Sequence, residues 1–172
     1  LVGSRGTAAA LRAAGLAVED VSALTGLPEL LGGRVKTLQP AVHAGLLARR
    51  DRPEQLEELK RHGIAPLDLV AVNLYPFERA VGPGTPLDEA LEQVDIGGEA
   101  LVRAAAKNFQ SVLVLVDPDD YAPVLAQLNA TGDVDFETRR ALACKAFSHA
   151  ARTNAGGMAS AAEPINRSSK RC

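Results

Sequence analysis

Two short apolar runs constrain the fold of this chain more than any other feature of its sequence. They are "DLVAVNLYPF", residues 68–77, and "SVLVLVD", residues 111–117. In both runs apolar residues follow one another without the alternation of a half-exposed strand. Runs of this length indicate strands buried on both faces, as in parallel sheets. The strands that end at Asn73 and Asp117 are therefore predicted to be parallel neighbours or near neighbours in one sheet.

Helical patterns fill the intervals around these runs. They cover six segments: residues 7–16, 52–64, 84–94, 97–109, 117–133 and 136–154. Gly15 marks the end of the first segment, and Thr85 is expected to cap the third, with Pro86 at its first helical position. Residues 17–22 alternate and predict a further strand. Strands that alternate with helices indicate an α/β fold with a mainly parallel sheet flanked by helices.

The length and composition of the chain narrow its class. Its 172 residues fit one domain, expected over residues 1–160, and residues 161–172 lack periodicity and are predicted to be a disordered tail. A net charge of −2 argues against a broad nucleic-acid-binding surface. No apolar stretch is long enough to span a bilayer, and no export signal is visible. Two cysteines, Cys144 and Cys172, make no disulfide framework and favour a reducing cytoplasm.

One stretch is markedly cationic in this slightly acidic chain. "GGRVKTLQPAVHAGLLARR", residues 32–50, holds five basic side chains: Arg34, Lys36, His43, Arg49 and Arg50. Arg34, Lys36 and Thr37 follow a glycine pair, which places two cations and a hydroxyl within four residues. Such a turn suits a small anionic ligand. The alternative is a charged, solvated face without a ligand.

Two further polar groups lie where strands meet loops. "LVGSRGT", residues 1–7, predicts a strand end followed by a helix start, and N–H groups and hydroxyls there suit a phosphate. The alternative is a tight turn with Thr7 as the helix cap. In "NLYPF", Asn73 and Tyr75 are two residues apart and point the same way if the segment is extended. The alternative is a capped strand end. Ligands of such sheets bind beyond the carboxyl ends of the strands, a position that Asn73, Tyr75 and the loop after Asp117 are predicted to occupy.

A fourth group is "DIGGEALVRAAAK", with Asp95 before a glycine pair and Lys107 at the far end of the predicted helix. The alternatives are a helix cap for Asp95 and a surface lysine for Lys107. No spacing of His, Cys and carboxylates suggests a metal site. Neither a dinucleotide-binding nor a P-loop glycine motif is found.

Taken together and in order, four blocks closely resemble the inosine monophosphate (IMP) cyclohydrolase domain, the amino-terminal half of the bifunctional purine biosynthesis proteins. The blocks are "ALTGLPELLGGRVKTLQPAVHAGLLARRD", "APLDLVAVNLYPFE", "VDIGGEALVRAAAKN" and "RRALACKAFSHAA". The resemblance implies a methylglyoxal-synthase-like fold, a homodimer and a cytoplasmic enzyme of the cyclic-amidine hydrolase class. It implies closure of formyl-AICAR to IMP with loss of water. No metal or cofactor is implied for that step, and 10-formyltetrahydrofolate belongs to the AICAR formyltransferase half of the family.

The resemblance also assigns residues. It implies four catalytic residues: Lys36, Tyr75, Asp95 and Lys107. Asp95 and Lys107 would handle the carboxamide and formyl groups, and Lys36 would help to orient them. The implied substrate-binding residues are Ser4, Gly6 and Thr7 at the phosphate, with Arg34, Thr37, Asn73, Gly97 and Gly98. The four catalytic residues are predicted to converge on one cleft, in a single chain or across a dimer interface.

Some features depart from the family pattern. Arg5 stands where the family has glycine, so a left-handed conformation would be costly there, although its side chain could add a cation. Gln39 replaces the usual histidine before proline, and the similarity fades after Ala151. The family's first strand and a Ser/Lys phosphate-contacting turn are expected before Leu1. On this basis the chain is expected to be a truncated domain that cyclises formyl-AICAR far more slowly than a complete one.

Three hypotheses follow for its function. The first is an IMP cyclohydrolase domain, and the retention of Lys36, Tyr75, Asp95 and Lys107 favours it. The second is a regulatory module of the same fold that binds nucleotides or phosphorylated effectors without chemistry. The third is an inactive fragment.

Overall fold

The computed structural model describes residues 1–74 and 85–161, and it leaves the side chains of Leu87 and of residues 153–161 outside the description. Four strands are described: β1 (Val2–Gly3), β2 (Glu19–Asp20), β3 (Leu69–Ala71) and β4 (Leu113–Leu115). The α-helices described are α1 (Arg5–Ala13), α2 (Val21–Thr25), α3 (Pro40–Leu47), α4 (Pro53–Arg61), α5 (Leu87–Glu92), α6 (Ile96–Lys107), α7 (Tyr121–Thr131) and α8 (Phe136–Ala161). Single 3₁₀ turns occupy Leu31–Gly33 and Pro118–Asp120.

The strands β3 and β4 are parallel neighbours, as the two apolar runs predict. Val70 lies opposite Val114, and the pairing continues for one residue on each side. Burial differs between the two strands: all three residues of β4 are buried, whereas Leu69 in β3 is 45% exposed. The predicted burial is thus confirmed for β4 and wrong for most of β3. Within the described residues β3 pairs only with β4, so its other edge has no strand to cover it.

The strands β1 and β2 form a second parallel pair, with Val2 opposite Glu19. The α1 helix is their crossover. The predicted strand over residues 17–22 is confirmed only for Glu19 and Asp20, because α2 begins directly afterwards at Val21. Among the described residues, the strands therefore form two small parallel sheets rather than one. The α/β class with parallel strands and flanking helices is confirmed.

The main hydrophobic core lies between α6, α8 and the β3–β4 pair. Small side chains line both helices: Ala104, Ala105 and Ala106 on α6, and Ala143, Ala146 and Ala150 on α8 are all buried in one cluster. Alanine lets the two backbones approach closely, and Val102, Val112 and Val114 fill the space toward β4. A chain without tryptophan builds a dense core this way.

Two polar side chains tie α3 to this core. The buried amide of Asn108 donates to the carbonyl oxygens of Leu46 at 2.8 Å and Ala48 at 3.0 Å. The guanidinium of Arg50 donates to the carbonyls of Ala48 at 2.7 Å and Leu67 at 2.9 Å. The carbonyls at the end of a helix have no partner within it, so these donors satisfy them. Arg50 is thereby part of the scaffold.

Several helix boundaries differ from the sequence predictions. Ser4 is the N-cap of α1, so Thr7 lies inside the helix and is not its cap. Pro86 is the N-cap of α5, not its first helical residue after a Thr85 cap, since the fixed φ of proline also suits an extended cap position. The α8 helix continues to Ala161. The predicted tail beyond it, residues 162–172, lies outside the described residues. Within the described ranges no helix is both long and apolar enough to cross a membrane.

Candidate functional site

The cationic turn is a small hairpin. Leu30 and Val35 pair through two backbone hydrogen bonds, at 3.0 and 3.3 Å, and enclose residues 31–34. Leu31, Gly32 and Gly33 have positive φ angles of 53°, 67° and 99°. Glycine adopts such angles without steric cost, which explains the glycine pair before Arg34. Leu31 lacks this freedom, and its side chain is 74% exposed, so packing does not offset the strain.

The structure divides the cationic stretch into two parts. Arg34 and Lys36 lie on the turn and are exposed, and Arg34 pairs with Glu92 of α5 at 3.2 Å. Arg49 instead donates to Asp51 at 2.9 Å, and Arg50 bonds to backbone carbonyls. The ring of His43 contacts the carbonyl of Gln39 in the same helix. Arg34 and Lys36 are therefore the two of the five basic side chains that lie on the turn itself.

The start of α6 lies directly against the end of this turn. Asp95 is the N-cap, and its Oδ1 accepts a hydrogen bond from the N–H of Gly98 at 2.8 Å. A β-carbon on Gly97 would lie 2.7 Å from Oγ1 of Thr37, and one on Gly98 would lie 2.9 Å from Cδ2 of Leu74. The glycine pair thus allows close approach by the turn and by the chain that leaves β3.

The start of α1 approaches the same turn through Glu29. Arg5 bonds to Glu29 at 2.9 Å, and a β-carbon on Gly33 would lie 3.4 Å from the carboxylate of Glu29. Gly6 and Thr7 occupy the exposed first turn of α1. Arg5 does not adopt the left-handed conformation that would be costly there: it is the first residue of the helix, and Leu31 is the only non-glycine residue with positive φ in the described part of the chain.

One pair of predicted catalytic residues does not meet within the chain. Asp95 caps the beginning of α6, and Lys107 is its last residue. The helix has 12 residues, which at about 1.5 Å per residue separates the two backbones by about 18 Å. That distance exceeds the combined length of both side chains. Tyr75, the fourth predicted catalytic residue, lies outside the described residues.

A second polar group, which we call the strand-end cluster, lies where β3 and β4 end. It comprises Asn73, Asp117, Asp120, Tyr121 and Lys145. The hydroxyl of Tyr121 donates to Oδ1 of Asn73 at 3.0 Å. The ammonium of Lys145 lies 2.7 Å from an oxygen of Asp117 and 2.7 Å from one of Asp120.

The contacts within the strand-end cluster favour the charged forms of both Asp117 and Lys145. Hydrogen bonds from Lys145, and then from the backbone N–H of Asp119, lower the pKa of Asp117 below its usual value. Hydrogen bonds to Asp117 and Asp120 raise the pKa of Lys145. The sequence indicated Asn73 and the loop after Asp117 but missed Tyr121 and Lys145, because only the packing of α8 against β4 brings Lys145 to this edge.

The structure brings together part of the predicted site. Thr37, Asp95, Gly97 and Gly98 meet, and Asn73 precedes Leu74, which contacts them. Arg34 and Lys36 share the adjoining turn, and the α1 start with Ser4, Gly6 and Thr7 is linked to it through Glu29. Lys107 is remote from Asp95. In the described part of the chain, no group of three or more His, Cys, Asp or Glu side chains could hold a metal ion.

Family models match almost all of this chain. The MGS-like domain matches residues 1–100, and the AICARFT/IMPCHase bienzyme matches residues 105–160. These two matches include the cationic turn, both ends of α6 and the strand-end cluster.

Curated relatives and a solved structure agree with the family models. The bifunctional purine biosynthesis protein PurH of Persephonella marina is 53% identical over 88% of this chain, and that of Chloroflexus aurantiacus is 59% identical over 84%. The chain spans 29% and 28% of the lengths of these relatives. The crystal structure of ForH is similar with a TM-score of 0.80 and 41% identity, covering 93% of this chain and 83% of that one.

Proposed function

Because the chain belongs to the MGS-like domain family, and within it to the bifunctional purine biosynthesis proteins, we propose that it catalyses the ring closure of formyl-AICAR to IMP. In this reaction the carboxamide nitrogen attacks the carbon of the formamide group carried by the neighbouring ring atom. A carbon–nitrogen bond forms, and a proton from the attacking nitrogen converts the former formyl oxygen to a hydroxyl. The hydroxyl then leaves as water with a second N–H proton, and a C=N bond closes the ring. The reaction needs a held phosphate, an aligned pair of amide groups and proton transfer.

The observation that carries this proposal is the contact between the cationic turn and the start of α6 beside the end of β3. Thr37, Asp95 and Leu74 converge around Gly97 and Gly98. This edge combines two exposed cations with a carboxylate at the start of a helix. Such a combination suits a nucleotide monophosphate whose base carries reactive amides.

Asp95 is suited to the carboxamide. Its Oδ1 accepts the N–H of Gly98, which fixes the side chain and leaves Oδ2 as an acceptor for an amide proton. An amide nitrogen is a poor nucleophile, so loss of its proton to a carboxylate as it attacks lowers the barrier. Lys36 carries the matching positive charge and would stabilise the oxygen on the formyl carbon as negative charge develops there.

The phosphate would bind between the α1 start and Arg34. The salt bridges that hold Arg34 and Arg5 are both solvent-exposed at the arginine, with arginine side-chain exposures of 64% and 83%. Exposed ion pairs contribute little, so a dianion can replace Glu92 or Glu29 as the partner. Ser4 and Thr7 add hydroxyl donors at the same helix start.

Lys107 requires a second copy of the chain in this scheme. The two reacting groups are on adjacent ring atoms, and about 18 Å along α6 separates Asp95 from Lys107 in one chain. We therefore assign Lys107 to the site of a partner in a homodimer. Mixing Asp95→Asn with Lys107→Ala subunits should restore about a quarter of the wild-type rate, since half of the randomly formed dimers carry one intact site of two. A mixture as inactive as either variant alone would remove Lys107 from the shared site.

The main test follows IMP formation by absorbance in the wild type, Lys36→Met and Asp95→Asn. Each substitution should lower kcat by at least about 100-fold, because each removes a proton-transfer or charge-stabilising group. Lys60→Met is the matched control, since Lys60 is an exposed lysine on α4. Wild-type protein that binds IMP but forms none from formyl-AICAR would contradict the enzymatic proposal.

That contrary outcome would favour the second candidate, a regulatory module that binds a phosphorylated nucleotide. One observation supports it: the cations of the turn and the α1 start are contiguous, whereas Lys107 is remote from Asp95 within the chain. Calorimetric titration with IMP and the turnover assay together distinguish the two. A binding module binds IMP with an affinity that falls in Arg34→Met and is unchanged in Asp95→Asn, and it forms no IMP from formyl-AICAR even as the wild type.

A further inference from the structure

We propose that Tyr121 and Lys145 are positioning residues that orient the side-chain amide of Asn73 toward the substrate. This inference rests on the proposed function, because it assigns Asn73 to the same nucleotide site. Neither Tyr121 nor Lys145 is expected to touch the reacting atoms.

The first step is the bond between Tyr121 and Asn73. The tyrosine hydroxyl donates to Oδ1 of Asn73 at 3.0 Å. An amide whose oxygen is held in this way directs its NH₂ group to the opposite side as a donor of two hydrogen bonds. Asn73 is exposed. Without the tyrosine, its amide could present either the oxygen or the nitrogen to a ligand.

The second step is the location of that NH₂ group. Asn73 immediately precedes Leu74, and Leu74 is buried against Gly98 at the start of α6. Asn73 therefore stands at the edge of the sheet, one residue before the contact between Leu74 and the start of α6. A fixed donor there suits an acceptor on the substrate base, such as a carbonyl oxygen or a ring nitrogen. An amide free to rotate would lose that preference.

Lys145 restrains Tyr121 indirectly, through the 3₁₀ turn that precedes it. Asp117 is the N-cap of the 3₁₀ turn that leads from β4 into α7, Asp120 is its last residue, and Tyr121 is the next residue. Lys145 on α8 bonds to both carboxylates at 2.7 Å and so fixes this turn against α8. A lysine is charged at neutral pH, and the two carboxylates raise the pKa of Lys145 further. The phenol ring of Tyr121 also packs on the buried cluster around Leu115 and Val124.

The exposure of the network argues that it orients groups more than it stabilises the fold. The side chains of Lys145 and Asp117 are each 37% exposed, and ion pairs with that access to water contribute little to the free energy of unfolding. Four polar side chains instead restrain one amide before substrate binds. The amide therefore has fewer orientations to lose on binding.

The test is a double-mutant cycle between Tyr121→Phe and Asn73→Ala, measured as kcat and KM for formyl-AICAR and as the affinity for IMP. Tyr121→Phe removes one oxygen and keeps the ring in its apolar contacts. It should lower kcat/KM by about 3- to 10-fold, the value of one hydrogen bond. In the Asn73→Ala background the same substitution should have no further effect. Equal losses in both backgrounds would overturn the proposal, because they would show a structural role independent of Asn73.

Lys145→Met should also lower kcat/KM, by less than Tyr121→Phe does. This loss should likewise disappear in the Asn73→Ala background. Thr131→Val is the matched control, since it removes a hydroxyl hydrogen bond from the other end of α7, donated to Gln127 at 3.0 Å. It should leave kcat/KM unchanged.

A readout independent of turnover separates this inference from the proposed function. In wild-type protein the side-chain ¹⁵N–¹H₂ signals of Asn73 should show restricted motion on the nanosecond timescale. Tyr121→Phe should make them mobile, and Thr131→Val should not. If the wild type neither cyclises formyl-AICAR nor binds IMP, the proposed function fails while these signals still test the orientation of Asn73. Signals unchanged by Tyr121→Phe would overturn the inference itself.

Discussion

The two regions that meet at the candidate site are built differently. The β3–β4 pair with α6 and α8 forms the main core, where Val102, Val112, Ala105 and Ala146 are completely buried. The region of β1, β2 and the cationic turn buries little: Ala8 is its completely buried apolar side chain among the described residues, and salt bridges at its surface are exposed. The first region therefore holds Asp95 and Asn73 in place, whereas the second supplies cations on a loosely packed turn.

The largest expected effect is in the core region. Ala146→Leu inserts a larger side chain between α6 and α8, where Ala146 is 0% exposed. Overpacking of this kind should lower the free energy of unfolding by about 3 kcal/mol, measured by urea denaturation. Ala141→Leu on the exposed face of α8 is the control and should change it by less than about 0.5 kcal/mol. Similar losses in the two variants would show that the helices are not closely packed.

An intermediate effect is expected where the two regions meet. Gly97→Ala places a methyl group 2.7 Å from Oγ1 of Thr37, so the end of the cationic turn must move. We expect IMP affinity to fall about 10-fold, as after loss of one charge-assisted contact, with little change in the free energy of unfolding. Removing the obstructing oxygen tests the cause. The double variant Gly97→Ala/Thr37→Ala should bind IMP no more weakly than Thr37→Ala alone. Additive losses of IMP affinity in the double variant would show that contact with Thr37 is not the cause.

A smaller effect is expected within the cationic turn. Leu31→Gly relieves a positive φ of 53° at a residue that is 74% exposed, so no buried surface is lost. The free energy of unfolding should rise by up to about 1 kcal/mol. Leu30 has a φ of −106°, so Leu30→Gly relieves no strain and should lower the free energy of unfolding. The same sign for both variants in thermal denaturation would contradict the strained turn.

The smallest effect concerns the pH dependence of the strand-end cluster. The pKa of Asp117 is lowered from 3.8, so its stabilising contribution is present above that pH and is lost as pH falls through the lower, folded-state pKa. The pKa of Lys145 is raised from 10.5, so its contribution is present below that pH and is lost as pH rises further. The difference in unfolding free energy between wild type and Lys145→Met should be constant between about pH 4 and pH 10 and shrink outside that range. If the difference in unfolding free energy were greatest at acidic pH, the contact would not favour the ionised form of Asp117.

The sequence predicted the rigid region better than the loose one. The apolar runs around Val70 and Val114 identified both central strands and their parallel pairing, because continuous apolar residues have few other stable arrangements. The strand at residues 17–22 was predicted too long, since a two-residue strand with weak burial leaves little pattern in the sequence. The helix starts at Arg5 and Leu87 differ from the predicted ones by two residues and one residue for a related reason: caps depend on backbone geometry that several residue types satisfy.

Sequence alone determined the α/β class, the family, and the segments that carry Lys36, Asp95 and Asn73, because hydrophobic periodicity and motif order are properties of the chain itself. Only the tertiary structure decided which polar groups meet. It placed Thr37 against Gly97, separated Lys107 from Asp95 along one helix, and brought Lys145 to the ends of β3 and β4. The physical reason is that such contacts depend on helix length, on the close approach that glycine permits and on the packing of α8 against β4, and none of these is encoded in local sequence spacing.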